Sequence, residues 1–225
     1  MPQLAVIFDM DGVLVDSYRA HFESWRGAYR ELGIEYSEAA FAADFGRTSR
    51  DILQRKFGDS LTDQRLRELD ERKEALYRDI IRKNFPAMDG AAELVEALAA
   101  DGFRLAIGSS GPPENVALVQ AQFTAGRHIG AVVTRADVTR GKPDPQVFLI
   151  AAQRLHVPPE SCAVIEDAVH GITAAQRAGM TAIALTGTLQ RDELSAADAV
   201  VDNLRQLSPE RIRALIGERP PEPSR

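Results

Sequence analysis

Two carboxylates two residues apart and a glycine, Asp9-Met10-Asp11-Gly12, close the first apolar run of the chain, Leu4-Ala5-Val6-Ile7-Phe8. Carboxylates so placed repel each other unless positive charge sits between them. A magnesium-like divalent ion, which takes hard oxygen ligands and keeps several of its waters, meets that need. The plainer alternative is a solvated Asp-Gly turn after a strand. Three further stretches set reactive residue types in the same position. Ser109 and Ser110 follow the run 103–108 between Gly108 and Gly111, whose small size lets backbone N–H groups approach an anion. Arg140-Gly141-Lys142-Pro143-Asp144-Pro145 follows the run 131–134. There Pro143 biases Lys142 toward extended backbone, Asp144 can cap the next helix and Pro145 suits its first turn. Glu166 and Asp167 close the run 162–165. Together these stretches hold a candidate nucleophile, an anion binder, a cation and a metal nest.

The elements that must position them follow from periodicity. The runs at 4–8, 103–108, 131–134, 162–165, 181–185 and 199–201 are short, apolar and often β-branched, as buried parallel strands are. Helical patterns separate them at 90–101, after Pro112-Pro113, at 145–155 and at 171–178, with Gly179 as a C-terminal stop. This alternation predicts a doubly wound parallel sheet, in which ligands lie outside the carboxyl ends of the strands. Residues 18–86 differ in character and read as an all-helical insert. Tyr18, Phe22, Trp25, Tyr29 and Leu32 recur at helical spacing before Gly33, with His21 at the edge of the stripe. A second helix is expected from Thr48, with Asp51 at capping-box distance, which puts Arg50 in a first turn where the helix dipole disfavours a cation. A third is expected from Thr62 to Asn84, with Lys73 on its apolar face. Lys73 either snorkels to solvent or reaches an anionic ligand.

Composition narrows the class. The 225 residues are 44% hydrophobic, enough for a packed core, and no apolar stretch is long enough to span a membrane. A net charge of −6, from 27 basic and 33 acidic residues, argues against a nucleic-acid partner. A single cysteine excludes an internal disulfide. With no basic region followed by an apolar run at the N-terminus, the cytoplasm is the expected compartment, and a monomer the expected state. Cys162, opening a strand, reads as a buried apolar residue, and His128, His156 and His170 read as solvated or locally bonded at element ends. The Pro-rich end, 218–225, is expected to be disordered.

The four stretches resemble, in order and spacing, the motifs of the haloacid dehalogenase superfamily of phosphotransferases, and the resemblance spans nearly the whole chain. It implies a Rossmann-like catalytic core of residues 1–17 and 87–225 with a helical cap of residues 18–86. It further implies that Asp9 is the nucleophile that takes the phosphoryl group. Asp11 would be the general acid and base and lend its backbone carbonyl to magnesium. Ser109 and Lys142 would hold the transferring phosphoryl, and Glu166 and Asp167 would complete the metal site with Asp9. The roles are physically coherent. Phosphoryl transfer needs positioning and charge neutralisation, and a covalent acyl phosphate splits one hard displacement into two easier ones. Receiver domains of response regulators carry similar residue types, but their accepting Asp ends the third strand, which here ends in Val133-Thr134. Cation-pumping ATPases need membrane spans, and a catalytically dead phosphate-binding module would not need every one of these groups.

Within the superfamily, His21, Trp25, Arg50 and Lys73 resemble the cap residues of the β-phosphoglucomutase-like and sugar phosphatase subfamily, with Ser110 and Asn115 as further substrate contacts. Motif two departs from the mutase pattern. After Ser109 come Ser110-Gly111-Pro112-Pro113-Glu114-Asn115, with no lysine and with an added acid. The expected activity is a magnesium-dependent phosphatase acting on a small phosphorylated metabolite such as a sugar phosphate. A β-phosphoglucomutase-type phosphomutase is the alternative.

Overall fold

The computed structural model describes residues 2–44 and 49–218, apart from the side chains of Arg50 and Asp59. Thr48 and the Pro-rich end 219–225 lie outside that set, as does the Arg50 side chain. The chain divides into two compact units, Met1–Asp16 with Pro86–Arg225, and Ser17–Phe85.

The first unit is built on six parallel strands in the order β3-β2-β1-β4-β5-β6. They are β1 (Ala5–Phe8), β2 (Arg104–Gly108), β3 (Ile129–Val133), β4 (Cys162–Glu166), β5 (Thr181–Leu185) and β6 (Ala199–Val201). β3 begins two residues before the apolar run read from the sequence, because Gly130 lies within the strand and breaks its apolar pattern. Side chains alternate across each strand. Ala5, Ile7, Ala106, Cys162 and Val164 join a buried cluster with residues of α7 (Gln146–Leu155) and α8 (Val169–Arg177). Their buried neighbours Val6, Phe8, Leu105, Ile107, Ala163 and Ile165 point the other way. On that side α5 (Ala91–Ala100) packs on β2, and α9 (Pro209–Glu218) packs on β4 and α5. A sheet covered on both faces explains strands that read as continuous apolar runs.

Register brings the chemistry together. Phe8 sits opposite Ile107 of β2 and Ile165 of β4, so Asp9, Gly108-Ser109 and Glu166-Asp167 emerge side by side at one edge. The backbone N–H of Asp9 donates to Ile165 O at 2.9 Å, and that of Ser109 to Val133 O at 2.9 Å. Because β1 is flanked by β2 on one side and β4 on the other, the order in which strands are added reverses there, although all run parallel. This is where such sheets open a crevice.

The second unit holds α1 (Tyr18–Arg30), α2 (Glu38–Asp44), α3 (Ser49–Phe57) and α4 (Asp63–Lys83). The stripe Phe22, Trp25 and Tyr29 of α1 packs with Phe41, Ile52, Leu53, Leu66 and Leu69. Thr62 caps α4, accepting from the Arg65 N–H at 3.2 Å, and Asn84 ends it. α2 has one buried residue, Phe41, and so shows no apolar period in the sequence. Among the described residues, no helix is long and apolar enough to cross a membrane.

Candidate active site

After β1 the chain turns tightly: the N–H groups of Leu14 and Val15 both donate to Met10 O, and that of Gly12 donates to Val15 O at 2.8 Å. Gly12 holds this turn at φ +76°, and a Cβ there would also overlap the Asp167 carboxylate. The turn leaves Asp9 buried at the end of the strand and Asp11 half-buried.

Lys142 is the cation of the site. Its Nζ donates to Asp9 Oδ1 and to Glu166 Oε1, each at 2.7 Å, and lies 4.9 Å from the centre of the Phe148 ring. The loop that carries it is tied down on both sides. Gln146 Oε1 accepts from the N–H groups of Thr139 and Arg140, Asp144 Oδ1 accepts from the Gln146 N–H, and Arg177 Nη1 donates to Pro143 O. Glu166 is anchored through its other oxygen, which accepts from the N–H groups of Asp167 and Ala168 at 2.9 Å each. Thr188, in the loop after β5, donates from Oγ1 to Asp167 Oδ2.

Electrostatics follow from burial. Loss of water pushes the Asp9 carboxyl up to about 7; Lys142 pulls it down, while Glu166 and Asp11 push it further up. Burial, then Glu166 and Asp9, hold Asp167 well above the usual carboxylate range. Burial alone would lower Lys142, but Asp9 and Glu166 outweigh it and raise the ammonium above its ordinary value. One lysine thus faces more negative charge than it can neutralise. Asp9, Glu166 and Asp167 each offer an oxygen, all within 4.8 Å of one another, a buried all-oxygen donor set of the kind divalent magnesium takes. The residues fit that ion. Asp11 lies outside this three-carboxylate group, and only its backbone was expected to contribute.

Ser109 is buried, and its Oγ accepts from the Gly111 N–H at 2.9 Å. Among the described residues the hydroxyl proton is given to no protein acceptor, so it is available to donate to an oxyanion. Ser110 is exposed, and Asn115 is buried in the first turn of α6 (Pro113–Gln122). In the helical unit, Lys73 Nζ lies 3.0 Å from His21 Nδ1 and 5.5 Å from the centre of the Trp25 ring. Lys73 does not snorkel: it is buried, because Glu74 beside it supplies a counter-ion at 2.9 Å. Arg50 falls in the first turn of α3, with its side chain outside the described residues. Cys162 is buried, and burial pushes its thiol up to about 12, so it is inert at neutral pH.

The family described as haloacid dehalogenase-like hydrolase matches residues 4–179. The chain belongs to it. Among relatives of this family, the validoxylamine A 7'-phosphate phosphatase of Streptomyces hygroscopicus subsp. limoneus is 30% identical over 89% of this chain and 94% of its own. The β-phosphoglucomutase of Bacillus subtilis (strain 168) is 32% identical over 91% of each. A crystal structure of a haloacid dehalogenase hydrolase, family IA, variant 3, from Entamoeba histolytica HM-1:IMSS superposes with a TM-score of 0.87, at 27% identity, over 97% of this chain and 100% of that one. This haloacid dehalogenase-like hydrolase therefore pairs an α/β core with an inserted helical cap and has a catalytic fold. Its buried Asp9, Glu166 and Asp167 are consistent with aspartyl-phosphate chemistry on a small phosphorylated substrate.

Thr188, Phe148 and Gly171 were not read from the sequence as part of the site. Thr188 could have been, since it follows a strand end at the same edge of the sheet. Gly171 lies in the first turn of α8, where an added Cβ would fall on the Glu166 carboxylate. Alanine normally stabilises a helix interior over glycine by about 1 kcal/mol. Here Gly171→Ala is expected to do the reverse, lowering stability by about 1–3 kcal/mol as the carboxylate is displaced. Turnover should fall at least tenfold because Glu166 then loses its place beside Lys142. Thermal melting and turnover of the purified variant check this; wild-type values for both would mean that Glu166 is not held as described.

Proposed function

We propose that the chain is a magnesium-dependent phosphatase that hydrolyses a small sugar phosphate through an aspartyl phosphate on Asp9. In this reading Lys142, bonded to Asp9 and Glu166, and the free donor of Ser109 hold the oxygens of the transferring phosphoryl group. Asp9 attacks phosphorus and the leaving-group oxygen departs, taking a proton from Asp11. Asp11 then draws the proton from the water that attacks the acyl phosphate, which returns Asp9 and frees inorganic phosphate. Magnesium, held by Asp9, Glu166, Asp167 and the backbone carbonyl of Asp11, would neutralise charge between carboxylate and phosphate. His21, Trp25, Arg50, Ser110 and Asn115 serve the rest of the substrate, with Lys73 acting on it through His21.

The observation that carries hydrolysis over isomerisation is the entry to α6. Pro112 is its cap and Pro113 its first residue, so neither offers an N–H beside Ser109 and Ser110, and the acid Glu114 occupies the first turn. A helix start of this kind is a poor seat for a second phosphate. The mutase reading is supported by the likeness to the B. subtilis enzyme.

A panel of phosphorylated sugars assayed with magnesium and with chelator separates the two. Phosphate release is expected from small sugar phosphates, abolished by chelator and restored by magnesium. Conversion of β-glucose 1-phosphate to glucose 6-phosphate should be slow even with a bisphosphate primer. Fast primer-dependent isomerisation with little phosphate release would establish the mutase instead, and undiminished activity in chelator would remove the metal from the scheme.

A further inference from the structure

The helical unit contains a buried charge pair, Lys73 and Glu74, of which Glu74 has no part in the reaction outlined above. Lys73 and Glu74 are successive residues of α4, and successive residues on a helix do not ordinarily share a face. Both are nevertheless buried, 2% and 6% exposed, and Lys73 Nζ donates to Glu74 Oε1 at 2.9 Å. Ser49 Oγ donates to the same oxygen at 3.4 Å. A buried ammonium needs a counter-ion, and among the described residues Glu74 supplies it. Lys73 Nζ also lies near two aromatic faces, Trp25 at 5.5 Å and Tyr77 at 5.6 Å, and 3.0 Å from His21 Nδ1. Tyr77 in turn stacks on the His21 ring, 4.4 Å between centres. An ammonium has three donors and no acceptor, so Nδ1 is the accepting nitrogen and the ring N–H falls on Nε2.

We propose that Glu74 determines specificity. It cancels the charge of Lys73 and occupies one of its three donors, with His21 taking a second, so that Lys73 offers a second phosphate no net charge. The preferred ligands are then metabolites with one phosphoryl group and an uncharged remainder. This rests on the reading above that His21 and Lys73 serve the substrate, but it can be tested without turnover.

The test measures dissociation constants by calorimetry for glucose 6-phosphate and glucose 1,6-bisphosphate, in the full chain carrying Asp9→Asn so that neither is consumed. With Glu74 intact, the bisphosphate should bind no tighter than the monophosphate. Adding Glu74→Gln should shift the ratio toward the bisphosphate by about tenfold, the equivalent of ~1.4 kcal/mol. Adding Glu74→Gln to a chain that already carries Lys73→Met should leave the ratio where it was, because the effect on the ligand is relayed by Lys73. In the protein with all cap residues intact, nitrogen NMR should find His21 Nδ1 unprotonated and Nε2 protonated. That measurement stands even if Glu74→Gln does not fold. An unchanged or reversed ratio, or a proton on Nδ1, overturns the proposal. Absence of phosphatase activity would overturn the hydrolytic reading and leave these binding ratios to decide this one.

Discussion

Asp9→Asn should lose turnover by a factor on the order of 10⁴ or more, as enzymes do when an activated nucleophile is removed. The amide is nearly isosteric and keeps a carbonyl oxygen for Lys142, but it cannot form an acyl phosphate. The same variant has an opposite effect on stability, and its sign can be worked out. In metal-free protein the folded Asp9 carboxyl is raised from 3.8 to about 7. Across that window the native state holds a proton that the unfolded chain has released, so stability falls as pH rises and levels off above about 7. The full effect is roughly 4 kcal/mol, an order-of-magnitude figure for a shift of this size. In chelator, Asp9→Asn should therefore melt higher than wild type, by a margin that grows from pH 4 to 7. A variant that is both active and no more stable at pH 8 would contradict both the nucleophile and the crowding of charge around it.

Lys142→Met should cost both function and stability. The thioether keeps the apolar stem over Phe148, 4.9 Å below the ammonium it replaces, but leaves Asp9 and Glu166 without the bonds of 2.7 Å that each now accepts. Removing one partner from a buried ion pair costs about 3–5 kcal/mol. Part of this returns when Asp9 takes up a proton, so the loss in melting temperature should be larger at pH 8 than at pH 5. Turnover should fall by about 10²–10³-fold, the scale for loss of one charge-stabilising donor. Wild-type turnover, or a melting loss independent of pH, would show that Lys142 neither holds the phosphoryl group nor balances these acids.

Much of the core was legible because strands buried on both faces leave little ambiguity, and their polar punctuation marks the sheet edge. The runs ending at Phe8, Gly108 and Ile165 each deliver their first polar residues to that edge. α4 was legible almost to the residue, since Thr62 accepts from a free N–H and twenty-one residues keep one period. What stayed hidden depends on approach through space. The closeness of Gly171 to Glu166 is set by how α8 leaves β4, and no local pattern encodes it. Snorkelling was the usual expectation for Lys73, and burial prevailed because its chain neighbour Glu74 turned inward with it. α2 was missed because Phe41 alone is buried, and one apolar residue has no period.

The two ends of the helical insert meet within the core itself. Val15 pairs with Ala87, Asp16 N–H donates to Pro86 O at 2.8 Å, and Met88 N–H donates to Leu14 O at 3.0 Å. The sheet unit thus closes its own backbone across the point of insertion, as a hairpin does across its loop. Segments bounded this way can lengthen, shrink or be exchanged without moving the strands on either side, because loop closure adds only slowly with length. Ser17–Phe85 is accordingly a replaceable part. A lineage could change what the molecule accepts by rewriting that stretch alone, and a laboratory could graft a different helical segment between Asp16 and Pro86 while leaving Asp9 and Glu166 in register.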